Sequence, residues 1–329
     1  MHLLARIAIR LAAAASLGLA LCASPAHAAY VVTNVVAPAF PTFTQLLGIN
    51  NAGTIAGFQG ALAAQGFTLT LPGNFTPENF PGAASTQVVG INAAGDTAGI
   101  YVDAGGVTHG FTRIGGTFAT IDQPGTAFNQ ALGINSANVT VGYSSTDPAG
   151  QVNQMAYLQG GGFFTNINPF LPANQNSQAT SINNGGSLVG FYMPTATTSV
   201  GFRQVGGVIS TVDPFGSPFT QALGINNNGD IVGFYTDPAS GAQRGYIDIG
   251  GVFTNFDPPG SFNTTINGIN DLGQIVGFFT DGNDNVVGFV GTPTATKIPE
   301  PGALSLTLLG LVALGANRRR LNGLGGSKQ

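Results

Sequence analysis

Tryptophan is missing from the chain altogether, and cysteine occurs once, as Cys22. Without Trp the usual stacking platform for sugar rings is gone, which leaves seven Tyr and 23 Phe to take that part. Cys22 lies in an N-terminal apolar run that export processing would remove, so the mature chain is expected to carry no thiol. Disulfides, cysteine nucleophiles and Cys-based metal sites are thereby excluded. Charge is scarce as well: Asp, Glu, Lys and Arg make up 7% of the residues. Between Ala29 and Thr296 the only cations are Arg113, Arg203 and Arg244, set against Glu78 and twelve Asp from Asp96 to Asp284. The clustered Lys and Arg of a nucleic-acid footprint are absent, and the surface is expected to be acidic and otherwise neutral.

What the chain has instead is a repeat. Gly-Ile-Asn, then Gly three or four places on, then an apolar residue with Gly and Phe or Tyr, recurs at Gly48, Gly90, Gly133, Ser181, Gly224 and Gly268. The Asn falls at 50, 92, 135, 183, 226 and 270, a period in the forties, which is the size of one four-stranded supersecondary unit. In the best-formed copy four apolar pieces, 223–226, 231–235, 245–249 and 252–257, are separated by Asn, Gly, Asp and Pro, the punctuation of short strands. Asn-Asn-Asn-Gly at 226–229 and Gly250-Gly251 suit tight hairpins because these residues tolerate positive φ. The piece Ile231-Val232-Gly233-Phe234-Tyr235 does not alternate apolar with polar, so both of its faces are expected to be buried.

Sheets stacked face to face around an axis meet that need. The chain is read as all-β, a six-bladed β-propeller of four-stranded repeats about 44 residues long. An extra copy of the outermost strand stands at the N-terminus, where residues 32–38 match 252–258 in spacing, and the last repeat lacks its own. Residues 31–36 are therefore expected to pair with the strand around 286–290 and complete the sixth blade.

The repeats resemble the extracellular repeats of the HAF type, named for a His-Ala-Phe triplet, over about residues 46–289. The matching triplets here are Gln65-Gly66-Phe67, His109-Gly110-Phe111, Met155-Ala156-Tyr157, Val200-Gly201-Phe202, Arg244-Gly245-Tyr246 and Val287-Gly288-Phe289. Only the aromatic third position is kept throughout, which implies a packing role and little about chemistry.

The termini read as delivery signals. Residues 1–28 have Arg6 and Arg10 before an apolar run, and Ala26-His27-Ala28 forms a small-x-small cleavage site, the pattern of a secretory signal peptide. A lipoprotein anchored through Cys22 is the poorer reading, since Leu21 precedes the cysteine. The propeller is placed at 29–291 and a Thr/Pro linker at 292–298. From 299 to 329 come Pro299-Glu300-Pro301, a short apolar stretch and Arg318-Arg319-Arg320. Fourteen apolar residues rise about 21 Å as a helix, short against roughly 30 Å of hydrocarbon, so transient rather than permanent membrane insertion is expected. In that order these elements resemble the PEP-CTERM sorting signal. The resemblance implies that the chain is a substrate of an exosortase after passage through the Sec machinery, although nine residues follow Arg320 and lengthen the tail beyond that pattern. An ordinary single-span anchor with a positive cytoplasmic end is the alternative.

No cofactor is expected and no catalytic residue stands out. His109, alone among the histidines once the signal is removed, has no neighbouring Ser or His partner at catalytic or zinc spacing and is read as structural. Asp281, Asn283 and Asn285 present oxygens at alternate positions like the start of a calcium loop, but no acid closes it, and hairpin-tip chemistry is the better reading. An acid recurs ahead of Pro at Asp122, Asp213 and Asp257, with Asn168 in its place once, and is read as an Asx-type cap of the following turn. The expected function is that of an exported cell-surface or extracellular-matrix protein with a structural or adhesive, exopolysaccharide-associated role. The alternative is a polysaccharide lyase or glycosidase with its active site at the axial mouth of the propeller, which would require several ionisable groups to meet there.

Overall fold

The computed structural model describes residues 29–167 and 176–294. Within them Tyr30–Pro293 form one compact unit of six four-stranded antiparallel sheets. Blade 5 shows the plan: the innermost strand Thr220–Ile225, then Ile231–Thr236, Gln243–Ile249 and the outermost Val252–Phe256, each paired with the one before it. Blades 1 to 4 repeat this over residues 44–77, 85–121, 128–166 and 176–212. Blade 6 takes its three inner strands from 263–293 and its outermost from Tyr30–Val35. Tyr30 pairs with Pro293 and Val35 with Gly288, so the expected closure of the ring by the N-terminal strand is what the sheet shows.

The six interfaces between blades hold the core. Val232 of blade 5 packs with Ile266 and Ile275 of blade 6, and Val276 and Val290 of blade 6 pack with Leu46 and Ile55 of blade 1, across the junction of chain ends. This is why the second strand does not alternate: Ile231 and Val232 point to opposite faces, and each face meets a neighbouring layer that leaves both side chains 0% exposed. The triplet aromatics Phe67, Phe111, Tyr157, Phe202, Tyr246 and Phe289 are all fully buried. Tyr246 lies over Gly233 of the second strand, where a Cβ would meet the ring at 2.9 Å, and the same pairing joins Phe289 to Gly277. The glycine and the aromatic are thus one packing unit. Each ring taken from water contributes about 1.5–3 kcal/mol.

In all six blades the pairing of the first two strands shifts by one residue, at Ala222/Gly224 in blade 5 and at the equivalent places elsewhere. The bulge turns an extra side chain toward the axis. At the same level the innermost strands come so close that a Cβ on Gly224 would lie 2.7 Å from the carbonyl oxygen of Asn267 in the next blade. That contact accounts for the glycine of Gly-Ile-Asn.

Candidate functional site

The Asn of each Gly-Ile-Asn is buried in every blade, from 3% to 9% exposed. Its Oδ1 accepts the backbone N–H four residues on, from Thr54, Asp96, Val139, Ser187, Asp230 and Gln274, at 2.9–3.1 Å. That holds the hairpin whose fourth residue takes positive φ, as Gly229 does at 86° and Asn138 at 57°. Its Nδ2 points sideways and donates to the backbone carbonyl of the equivalent Asn in the next blade at 3.0–3.2 Å, from Asn50 to Asn92 and so on around to Asn270, which donates back to Asn50. The bonds form a closed belt, and the repeat signature is the latch between blades as well as a turn. A second, exposed arc runs beside it: Ser136, Asn184, Asn227 and Asp271 each donate a backbone N–H to the side-chain oxygen of the next blade's residue.

The innermost strands run from the mouth of the axis toward this belt, and their inward residues stack in rings. Six isoleucines, Ile49 among them, stand between a space of about 90 Å³ on the belt side and a cavity of about 520 Å³ on the other. The larger volume falls within the roughly 300–1,000 Å³ of ligand pockets. Next to the isoleucines lie the glycines with Ser181, then Leu47, Val89, Leu132, Thr180, Leu223 and Asn267. The entrance is lined by Gln45, Gln178, Gln221, Gln243 and Thr265, with Phe191, Phe234 and Phe278 from the second strands. Among the described residues no ionisable side chain lines the cavity. Gln occupies the entrance position in five of the six repeats, at 45, 87, 130, 178 and 221, a periodicity visible in the sequence without the direction in which it faces.

The titratable clusters lie away from this cavity. His109 Nδ1 is 2.6 Å from Asp122 Oδ2 and its Nε2 is 3.5 Å from Asp103 Oδ2, while the ring stacks on Tyr101. Arg244 repeats the arrangement in blade 5, between Asp257 at 2.6 Å and Asp237 at 3.4 Å. This corrects the reading of the acids ahead of Pro. Asp122 and Asp257 reach back to the second residue of the third strand, His109 and Arg244, where a side-chain partner within bonding distance takes the carboxylate from the local turn, and Asp213 makes no side-chain cap bond. Asn168 lies outside the described residues. Glu78, at the corresponding place in blade 1, is buried and bonded to Thr97 Oγ1 and, at 3.4 Å, to Arg113. Burial pushes its carboxyl above the ordinary range, and the Thr97 hydroxyl and Arg113 pull the other way.

Asp281 caps its own hairpin: Oδ1 accepts from the N–H groups of Asn283 and Asn285 at 2.8 and 2.9 Å, and Oδ2 from the Asn285 side chain. Asp103 and Asp147 do the same in blades 2 and 3, so the alternate oxygens at 281, 283 and 285 form a turn. Among the described residues no group of three or more His, Cys, Asp or Glu is placed to hold a metal ion. The sorting residues Pro299, Glu300, Pro301 and Arg318 to Arg320, and the cleavage residues Ala26 and Ala28, lie outside the described residues. Among those described, no helix is long and apolar enough to cross a membrane.

No family model matches the chain, and no curated protein matches it. Solved structures similar to it include TolB from Acinetobacter baumannii, at 10% identity and a TM-score of 0.48, covering 78% of this chain and 66% of that one. A fucose-specific lectin from Aleuria aurantia is similar at 12% identity and a TM-score of 0.47, covering 79% and 98% of the two chains. Trypanosoma rangeli sialidase is similar at 7% identity and 0.41, covering 89% and 58%. The chain spans just under two thirds of TolB, and none of these likenesses bears on its site or ligand.

Proposed function

We propose that this chain is an exported envelope or matrix protein whose propeller binds neutral polysaccharide and does not cleave it. The observation that supports the reading is the make-up of the axial cavity: aliphatic side chains and glycine with amides, hydroxyls and phenyl rings, and among the described residues no ionisable side chain in the wall. A glycosidase needs two carboxyl groups held at a defined separation across the scissile bond, and no carboxylate of the described residues lines this cavity; Asp122 is bonded to His109, Asp257 to Arg244, and Asp281 caps a hairpin tip. Low charge elsewhere on the body suits a partner that is itself uncharged, since an unpaired ion loses its hydration on contact. Delivery to the cell surface rests on the resemblance of residues 299–329 to the PEP-CTERM signal and of residues 1–28 to a secretory signal.

The test is fractionation of a culture of the native host. The protein should co-purify with the extracellular polysaccharide, with a mass that places its C-terminus near Pro299, and the recovered material should release no reducing sugar from that polysaccharide. A C-terminus at Gln329 overturns the sorting reading, steady sugar release overturns the non-enzymatic one, and absence from the polysaccharide fraction overturns the partner.

A further inference from the structure

Six equivalent strands would line a cavity with six equivalent walls, and this cavity departs from that in a patterned way. Blades 2 and 3 contribute only aliphatic side chains and glycine, namely Val89, Gly90, Ile91, Leu132, Gly133 and Ile134. Gln87 and Gln130 hold the entrance position in those two blades yet take no part in the lining. Blades 4, 5, 6 and 1 contribute all of the amides, hydroxyls and phenyl rings. The cavity therefore has one apolar wall and one polar, aromatic wall facing it.

The amides of the polar wall are not equally committed. Gln178 donates to Gln154 at 3.0 Å and Gln243 to Thr265 at 2.7 Å, so each is tied to a neighbouring side chain. Gln45 and Gln221 make no side-chain hydrogen bond among the described residues, and both are half-exposed at the entrance. One layer deeper, Asn267 stands where four other blades have Leu or Val, and its Oδ1 is buried without a partner. Asn267 lines the cavity, and its Nδ2 makes no hydrogen bond among the described residues, which leaves a donor there for a ligand hydroxyl. Gln221, Asn267 and Gln45 come from blades 5, 6 and 1, which are consecutive around the ring, and Phe234 and Phe278 lie beside them.

From this we infer that the axial cavity binds the terminal pyranose of an uncharged saccharide, end-on, with its hydroxyl edge on Gln221, Asn267 and Gln45 and a C–H face toward the aliphatic wall of blades 2 and 3. The inference rests on the polysaccharide reading above and gives it a site. Three properties of the wall select this ligand. Amides serve as donor and acceptor at once, as hydroxyls do. The lining offers no counter-charge, so a carboxylate, sulfate or phosphate would be buried unpaired. The isoleucine ring closes the inner end, so a chain enters by its terminus and does not thread through.

The repeat supplies variants that keep the packing. Asn267→Leu installs the residue that Leu47, Leu132 and Leu223 already place in that ring, and Gln221→Thr installs the residue of blade 6. Binding is measured by calorimetry on the full chain, with maltotriose, cellotriose and laminaritriose as neutral probes, the same trisaccharides ending in a uronic acid, and maltohexaose beside α-cyclodextrin, which has no chain end. At least one neutral trisaccharide should bind. Asn267→Leu and Gln221→Thr should each weaken it about tenfold, and Gln87→Leu should stay within about twofold. The uronic-acid probes should bind at least tenfold more weakly, and maltohexaose should bind where α-cyclodextrin does not. Trisaccharide binding that survives both cavity variants, or equal binding of α-cyclodextrin, overturns this site and leaves the polysaccharide reading in place. A chain that binds no trisaccharide but still co-purifies with polymer does the same, whereas failure in both assays removes site and reading together.

Discussion

The two ends of the axis are built by the same six strands, five residues apart, and they follow opposite rules. At one end all six positions are Asn, every side chain is buried, and each amide is engaged both within its own blade and with the next. At the other the positions vary, Gln gives way to Thr265, Phe191 is matched by Ile100, and Gln45 and Gln221 keep unbonded amides. The contrast teaches where to look in a repeat protein. The belt residue is satisfied by its own copies and has nothing left for a ligand, while at the mouth Gln45 and Gln221 find no copy to bond and Asn267 departs from the repeat with its acceptor unmatched.

Opening the ring should cost the body most. Deleting residues 30–38 removes the outermost strand of blade 6 together with buried Val35 and Ala37, and leaves Val286–Pro293 as an unpaired edge. A loss of several kcal/mol is expected, roughly 10 °C or more in melting temperature. An unchanged melting temperature would mean that closure of the belt does not depend on closure of the sheet.

A finer test sets the two ends against each other. Asn226→Ala removes the bonds to Asn270 and Asp230 and strands buried backbone groups, at a cost of about 2–4 kcal/mol. Gln221→Ala, at the other end of the same strand, should stay within about 0.5 kcal/mol, as surface substitutions do. Equal losses in denaturant titration would sink the distinction.

The smallest effect is a response to acid. The Asn-to-Asn bonds of the belt join amide to backbone carbonyl and carry no titrating group, and around Asn135 and Asn183 no carboxylate is bonded to them, whereas hairpins at the mouth end are capped by carboxylates. Backbone N–H groups hold Asp103 and Asp147 below the ordinary value of 3.8, from Val107 in the first case and from Gln151 and Ala149 in the second. A lowered carboxyl stabilises the fold fully above 3.8 and loses that contribution as the pH falls through its own lower value. Amide exchange at Val107 and Gln151 should therefore lose protection below pH 3.8 while the belt amides of Val139 and Ser187 keep theirs. Parallel loss at both ends would place the acid sensitivity elsewhere.

The fold was legible because its cause is periodic. The Gly-Ile-Asn spacing, the unalternating Ile231 to Tyr235 and the spare strand at the N-terminus each state a local requirement that a closed ring of sheets meets. What escaped was the lateral reach of side chains. Asn226 looks like a hairpin residue within its own forty residues, and its second bond goes to a copy 44 residues away. Asp122 and Asp257 stand next to turn residues, and their partners His109 and Arg244 lie thirteen residues back, across a strand pair. The mouth was missed for a different reason: the Gln positions recur as regularly as the Asn, but only the backbone bulge decides which residues of that strand face the axis.

Closure by Tyr30–Val35 also decides how the body bears a load. Val286–Pro293 is the last strand before the tail, and it is an interior strand, registered over six residues with Tyr30–Val35 on one side and over six with Ile275–Thr280 on the other. A pull on the chain beyond Pro293 runs along this strand and strains both ladders together in shear. Were the last strand the outer one, the same pull would unzip it one bond at a time.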